Sequence, residues 1–469
     1  MRAVSLRASP PRIAILGGGL TGLTAAWRLQ REGFAVVVFE KSPRTGGVVS
    51  AQREDGWLHE LGPNSLLEGP PEVAAAIDEL GLGPRRLYAA PAAKNRYICH
   101  HGELVAAPTG PLAFATTRLF SLRAKLALLG EPWRPAAPGD AEESVADFAV
   151  RRLGREFLDY AVNPFVGGIY AGDPTRLAVR HAFPQLHALE QEHGSLVRGA
   201  FRRRGKSGGG RRRIFSFPDG LEEIPRALTA ALGAAVRRET TVRTVRRLAS
   251  GWEIATETAG ASAVEPFAAV LCALPADALA ALQIEGVPTA VSLAALREIE
   301  HPPVASVFTG FKRSDVAHAL DGFGVLVPEV ERRTILGTLF SSTLFPGRAP
   351  DGHVALTTFV GGTRQPELAT RDDRELLRGV TTELADLLGT RGAPAFTHVQ
   401  RWSRAIPQYA QGYGRFKALM AAVEADAPGF FIGGNSRDGI SLANCIASGI
   451  RLAGAAASFV GAAGKKPAA

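Results

Sequence analysis

Ile13-Ala14-Ile15-Leu16-Gly17-Gly18-Gly19-Leu20-Thr21-Gly22, with Glu40 eighteen residues after Gly22, decides the fold. Four apolar residues predict a short buried strand, and Gly17, Gly19 and Gly22 fill G-x-G-x-x-G. A helix is predicted from Thr24, packed through Leu23, Ala26, Trp27 and Leu29 and ended by Gly33. Ala35–Phe39 then predicts a second buried strand that runs into Glu40. Gly17 allows the tight turn, Gly19 lets backbone approach a pyrophosphate, and Gly22 lets helix and strand pack closely. The helix start, with Gly18, Leu20 and Thr21 in the same turn, offers free N–H groups and a positive dipole to phosphates. Glu40 can accept a bond from a ribose hydroxyl, and its charge disfavours a 2′-phosphate.

The 469 residues exceed what one hydrophobic core fills, so two or three domains are expected. Apolar content of 46% with 21% charged residues fits a globular chain and excludes bulk disorder. Cys99, Cys272 and Cys445 are far apart, and no His or Cys spacing suits zinc, so neither a disulfide framework nor a metal site is expected. Met1 to Pro11 lacks the apolar core of a secretory signal. No window holds 18 uncharged apolar residues, and no membrane span is expected. The formal net charge is +9, with a dense run from Arg198 to Arg213 wrapped around Ser207-Gly208-Gly209-Gly210. That run suits a solvated connection, an anionic membrane surface or attraction of an acidic substrate. Without aromatic interleaving it gives no reason to expect nucleic acid.

Farther along, Pro71–Gly81 predicts a helix and Asn95–Ile98 with Glu103–Val105 a hairpin turning at His101-Gly102. Leu112–Leu129 mixes Ala, Leu and Phe with Arg118, Arg123 and Lys125, which suits either a plain core helix pair or helices that cover a cavity or touch a membrane interface. Ser144 reads as a helix N-cap, and Asn163–Pro174 is expected to break the helical stretch that follows. After a helix at Leu221–Leu232 come short strands and a buried strand ending at Pro275. Strand-like runs between Ala305 and Val360 and a helix at Arg374–Leu388 predict a separate α+β layer. Thr397–Trp402 is read as a strand of the returning nucleotide domain. Gly429–Asn435 then gives a second strand–Gly–helix unit, with the helix from Ile440 to Phe459 and Asp438 or Ser441 at its start. The helix end of that second unit can stabilise charge on a reduced flavin.

The chain resembles flavin-dependent protoporphyrinogen and coproporphyrinogen oxidases, within the wider group of monoamine oxidases and phytoene desaturases. Residues 13–22, Glu40 with Lys41 and Arg44-Thr45-Gly46-Gly47, and Glu60-Leu61-Gly62-Pro63-Asn64-Ser65 match the flavin motifs of the wider group. Asn95-Arg96-Tyr97, Phe165–Asp173, Ala405-Ile406-Pro407-Gln408-Tyr409 and Gly439–Ile446 are closer to the porphyrinogen oxidases. The likeness covers nearly the whole chain, the N-terminal tail and the insert around 202–213 excepted. It implies an α/β and α+β architecture: a discontinuous Rossmann-type FAD domain (1–88, 206–288, 397–469), an inserted substrate domain (89–109, 289–396), and a helical membrane- or substrate-covering region (110–205).

Carried over by position, Gly17–Gly22 would hold the pyrophosphate and Glu40 the ribose; Lys41 is counted with the cofactor-binding residues, and Arg44 could offer its fork to a phosphate. Val48, Gly62, Pro63, Asn64 and Ser65 would lie along the flavin and Val242 at the adenine, with Trp402, Ile440, Ser441 and Leu442 around the isoalloxazine. Arg96 would face a substrate propionate, and Gly168 would lie over the tetrapyrrole. The implied reaction is oxidation of protoporphyrinogen IX to protoporphyrin IX by non-covalent FAD and dioxygen, releasing hydrogen peroxide in three two-electron steps. Coproporphyrinogen III is the alternative substrate. Catalysis is then mostly positioning, and no acid or base is assigned. An amine oxidase, a carotenoid desaturase and a non-catalytic nucleotide-binding scaffold are the competing readings. The expected setting is cytoplasmic, with peripheral contact at the inner face of the membrane. Oligomeric state is left open, a homodimer included.

Overall fold

The computed structural model describes residues 11–139, 142–206, 213–287 and 293–463. The N-terminal tail through Pro10 and the centre of the arginine-rich run, 207–212, lie outside the described residues.

The opening stretch forms strand β1 (Arg12–Leu16), helix α1 (Leu20–Arg31) and strand β2 (Ala35–Phe39). β1 is the middle of a five-stranded parallel sheet, in the order Val236–Arg237, β2, β1, Ala269–Cys272, Phe430–Ile432. The chain returns to this sheet after each long excursion. Both faces are covered, which is why these strands read as continuous apolar runs and not as alternations. Ile13 and Ile15 pack with α1, the helix Glu223–Leu232 and the last helix, Leu442–Ala463. Ala14 and Leu16 pack with Trp252, Tyr409 and Tyr413 on the other side. The last helix is the one helix among the described residues long and apolar enough to cross a membrane. It contains Arg451 and buries Leu452, Ala453, Ala456 and Val460 in the core that it shares with α1.

A second, seven-stranded sheet runs in the order Phe396–Trp402, Val304–Lys312, His353–Gly361, Gly337–Leu339, Gly322–Leu326, Asn95–His100, Glu103–Ala106. The helix Asp373–Leu388 covers one face through Leu376, Val380, Leu384 and Leu387. The hairpin at its edge turns on His101 (φ 53°) and Gly102 (φ 78°), the positive pair that a two-residue loop needs. Phe396–Trp402 pairs with Val304–Lys312, so the expected boundary at 397 falls inside a strand of this sheet and the strand does not belong to the nucleotide-binding sheet. Hydrophobic pattern alone cannot say which sheet a strand joins.

The helical region differs from expectation at one place. Asn163–Tyr170 is helical, continuing a π turn at Leu158–Val162. Pro164 sits in its first turn, where a missing N–H is tolerated, and the helix ends on Ala171 in the left-handed region.

Candidate flavin and substrate site

The glycine loop is built by contact constraints that differ from one glycine to the next. Gly17 holds φ +101°, and a Cβ on Gly22 would lie 2.0 Å from the Gly17 carbonyl oxygen. Any larger residue at 22 would separate α1 from β1. A Cβ on Gly19 meets nothing within 4 Å, so there is open space over the start of α1. No side chain caps that start and no acidic residue stands in its first turn. The geometry therefore fits a pyrophosphate.

Glu40 stands beside the loop, accepting from the N–H of Gly18 through Oε2 and from that of Ser42 through Oε1, each at 2.8 Å. Each oxygen keeps a lone pair for a hydroxyl. The Gly46 N–H donates to the Gly18 carbonyl at 2.8 Å, which lays the Arg44–Gly47 turn against the glycine loop. Lys41 is exposed, and Arg44 donates to the Gly47 carbonyl oxygen at 2.6 Å. Val242 is half-buried in the strand Thr240–Leu248, whose first N–H donates to the Glu40 carbonyl.

Val48 and Gly62 touch by necessity: a Cβ on Gly62 would lie 2.0 Å from the Val48 carbonyl oxygen. Asn64 Nδ2 donates to the Gly62 carbonyl, and Trp402 Nε1 donates to the Leu61 carbonyl at 2.7 Å. Pro63 and Ser65 complete this half-buried loop. The second strand–Gly–helix unit meets the first here. Thr21 Oγ1 donates to the Cys445 carbonyl, and a Cβ on Gly449 would lie 2.5 Å from the Thr21 carbonyl oxygen. Ser441 Oγ accepts the Asn444 N–H at 3.1 Å and caps the last helix, with Leu442 buried and Ile440 half-buried beside it. Burial holds the Cys445 thiol protonated, with its pKa pushed up to about 11.

The two residues expected at the substrate share one face of the seven-stranded sheet. Arg96 is exposed, with its guanidinium 5.5 Å from the Phe323 ring centroid. A Cβ on Gly168 would lie 2.7 Å from Leu326 Cδ2, so the helix backbone presses onto the sheet. Leu326 pairs with Ile98, two residues after Arg96 and on the same face. By strand alternation Trp402 also faces this side, opposite the Asp373–Leu388 helix.

Sequence reasoning missed what holds these parts together. Gln408 Nε2 donates to the carbonyls of Tyr170 and Ile406, fixing the end of the Gly168 helix. The Tyr409 hydroxyl donates to the Asn435 carbonyl and accepts the Gly439 N–H at 3.0 Å, fixing the turn before Ile440. Arg364 donates to the Val327 carbonyl and to Asn163 Oδ1 behind Gly167, and burial lowers its pKa. The Ala405–Tyr409 motif was visible, though its task was not; Arg364 had no local signal.

A family model described as flavin containing amine oxidoreductase matches residues 20–457. Protoporphyrinogen oxidase 2 of Arabidopsis thaliana, chloroplastic/mitochondrial, is 33% identical, over 96% of this chain and 95% of the relative. Coproporphyrinogen III oxidase of Bacillus subtilis is 27% identical, over 93% of this chain and 96% of the relative. A crystal structure from Exiguobacterium sp. 255-15 superposes with a TM-score of 0.78 at 24% identity, covering 98% of this chain and 100% of that one.

Proposed function

The chain belongs to the flavin containing amine oxidoreductase family, and from that premise we propose that it oxidises protoporphyrinogen IX to protoporphyrin IX. The observation that supports this reading is that Arg96, the helix carrying Gly168 and Trp402 lie on one face of the seven-stranded sheet, with Trp402 bonded to the Leu61 carbonyl at the start of the Gly62–Ser65 loop. FAD, when bound, supplies the two-electron acceptor. Gly17–Gly22 and Glu40 hold its nucleotide end, and Val48, Gly62–Ser65, Trp402 and Ile440–Leu442 line its ring end. Arg96 pairs with a substrate carboxylate, and the helix at Gly168 lets a flat macrocycle lie close to the backbone. Loss of six hydrogens in three two-electron steps gives the porphyrin, and three dioxygen molecules leave as hydrogen peroxide. The residues orient a meso C–H and exclude water, and no side chain moves a proton.

Coproporphyrinogen III is the second reading, favoured by full-length similarity to bacterial relatives named for it. A fluorescence assay offering each porphyrinogen under air tests both. Porphyrin formed above the autoxidation blank supports the proposal, and none from either substrate overturns it. FAD is held without a covalent bond, because Cys445 lies half-buried within the last helix with its thiol protonated. Acid precipitation therefore leaves the flavin in solution; flavin in the pellet contradicts this.

The helices Pro111–Thr116 and Leu122–Leu129 pack the half-buried Phe114 and Leu128 against the cluster that holds Phe120 and Phe157. They and the turn after them expose Leu112, Leu122, Leu126, Leu129 and Trp133, with Arg118 and Arg123 exposed nearby. This apolar, basic surface rests on the anionic inner face of the membrane. Cosedimentation with phosphatidylglycerol vesicles and not with phosphatidylcholine supports it; no cosedimentation with either overturns it.

A further inference from the structure

Strand β3 (Ala51–Glu54) and strand β4 (Trp57–Glu60) lead into the Leu61–Ser65 loop, and β4 ends on a side chain that is 6% exposed. The Glu60 carboxylate accepts through Oε1 from the Leu221 N–H at 2.9 Å, from Ser216 Oγ at 3.4 Å and from Arg348 Nη2 at 3.2 Å. Its other oxygen, Oε2, is buried with no protein partner, and so is Nη1 of Arg348. Arg348 is 2% exposed and also donates to Ser216 Oγ at 2.7 Å. Both side chains line a cavity of about 10 Å³ that Asn64, Ser341 and Thr357 also border. That is the size of one water molecule, and its polar lining supplies the partners such a water needs.

Three separate pieces of chain meet at this pair. Glu60 comes from β4, Ser216 and Leu221 from the segment after the arginine-rich run, and Arg348 from a loop of the seven-stranded-sheet layer. The Arg348 carbonyl also accepts the Leu58 N–H at 3.2 Å, so this loop is tied to β4 twice.

We infer that Glu60 and Arg348 hold one buried water between Oε2 and Nη1, and that they act as positioning residues for the flavin-lining loop Leu61–Ser65. The inference rests on the flavin reading of that loop. A buried polar pair with every atom satisfied fixes one arrangement, whereas a half-satisfied one does not. The charges around the pair are mixed. Arg348 and Glu222 act on Glu60, and Arg53, Glu223 and Asp219 act on Arg348. His59, adjacent in β4, is held neutral by burial and by His398, with its pKa lowered to about 4. Burial pushes Glu60 up to about 7 in spite of Arg348. The ion pair that holds the loop is thus complete above neutral pH and is lost below it.

The test is FAD titration of the apoprotein between pH 6 and 8, for wild type, Glu60→Gln and Glu60→Asp. The wild type should bind FAD more tightly at pH 8 than at pH 6, by up to about tenfold, the limit for one group titrating near 7. Glu60→Gln should bind weakly at both, with an altered visible flavin band, and Glu60→Asp should recover part of the pH dependence. FAD bound by Glu60→Gln with wild-type affinity, band and pH profile overturns the positioning role. No FAD bound by the wild type overturns the flavin reading itself. A crystal structure of the wild type gives a check independent of how the variants fold. Density for one water within hydrogen-bonding distance of Glu60 Oε2 and Arg348 Nη1 supports the inference, and a dry cavity overturns it.

Discussion

Replacing Tyr409 by Phe probes the link between the substrate helix and the flavin helix with the loss of one oxygen. Tyr409 is 1% exposed, and its ring lies 4.4 Å from that of Tyr413, so Phe keeps the packing. The hydroxyl bridges the Asn435 carbonyl and the Gly439 N–H, and its removal leaves both without their partner. A buried polar group left unpaired costs about 1–3 kcal/mol, and these two are only half-buried, so about 1 kcal/mol each is appropriate. The total, about 2 kcal/mol, falls on the turn that sets Ile440–Leu442 against the flavin. If most of it is felt in the bound state, the Kd for FAD rises by about tenfold or more, since each factor of ten is about 1.4 kcal/mol. Tyr413→Phe is the smaller perturbation: its hydroxyl donates to the Ser436 carbonyl alone, so one group and not two loses its partner, and the Kd for FAD should rise less than in Tyr409→Phe. Flavin fluorescence quenching during titration of the apoproteins measures both. An FAD affinity for Tyr409→Phe within a factor of about two of wild type refutes the reasoning.

Arg96→Ala should raise KM more than it lowers kcat, because a carboxylate contact is present in ground and transition states alike; an unchanged KM removes Arg96 from the substrate site. Gly62→Ala places a Cβ where the Val48 carbonyl oxygen stands, so the variant should purify colourless while keeping its far-UV circular dichroism, and a normal flavin content contradicts the contact. Glu60 binds a proton in the folded state up to about pH 7 that the unfolded chain releases near its ordinary value of 4.5. That contribution is fully present below pH 4.5 and is lost as pH rises through 7, an amount of about 3 kcal/mol. Urea unfolding across this range should show wild type losing stability with pH relative to Glu60→Gln, and parallel profiles contradict the buried carboxyl.

The parts legible in the sequence were those set by short-range geometry. β1, α1 and β2 follow from an apolar run, three glycines and a second apolar run, and Glu40 lies beside the loop because β2 ends there. The hairpin at His101-Gly102 and the N-cap at Ser144, whose hydroxyl accepts the Asp147 N–H, are equally local. The helix at Asn163–Tyr170 was hidden because Pro164 and the Gly167-Gly168 pair resemble breakers. Pro164 is harmless in a first turn, and the two glycines are stabilised from outside, by Leu326 and Arg364 lying against them. The place of Phe396–Trp402 depends on a partner strand some ninety residues away, and the Glu60–Arg348 pair on residues 288 apart. Periodicity carries no information about such pairings.

Anaerobic mixing of the flavin-loaded protein with protoporphyrinogen IX tests the central claim most directly. The flavin absorbance should bleach within the mixing series and return on admission of air, with hydrogen peroxide and porphyrin formed in a ratio of three to one. Flavin that stays oxidised in the presence of excess porphyrinogen would contradict the account.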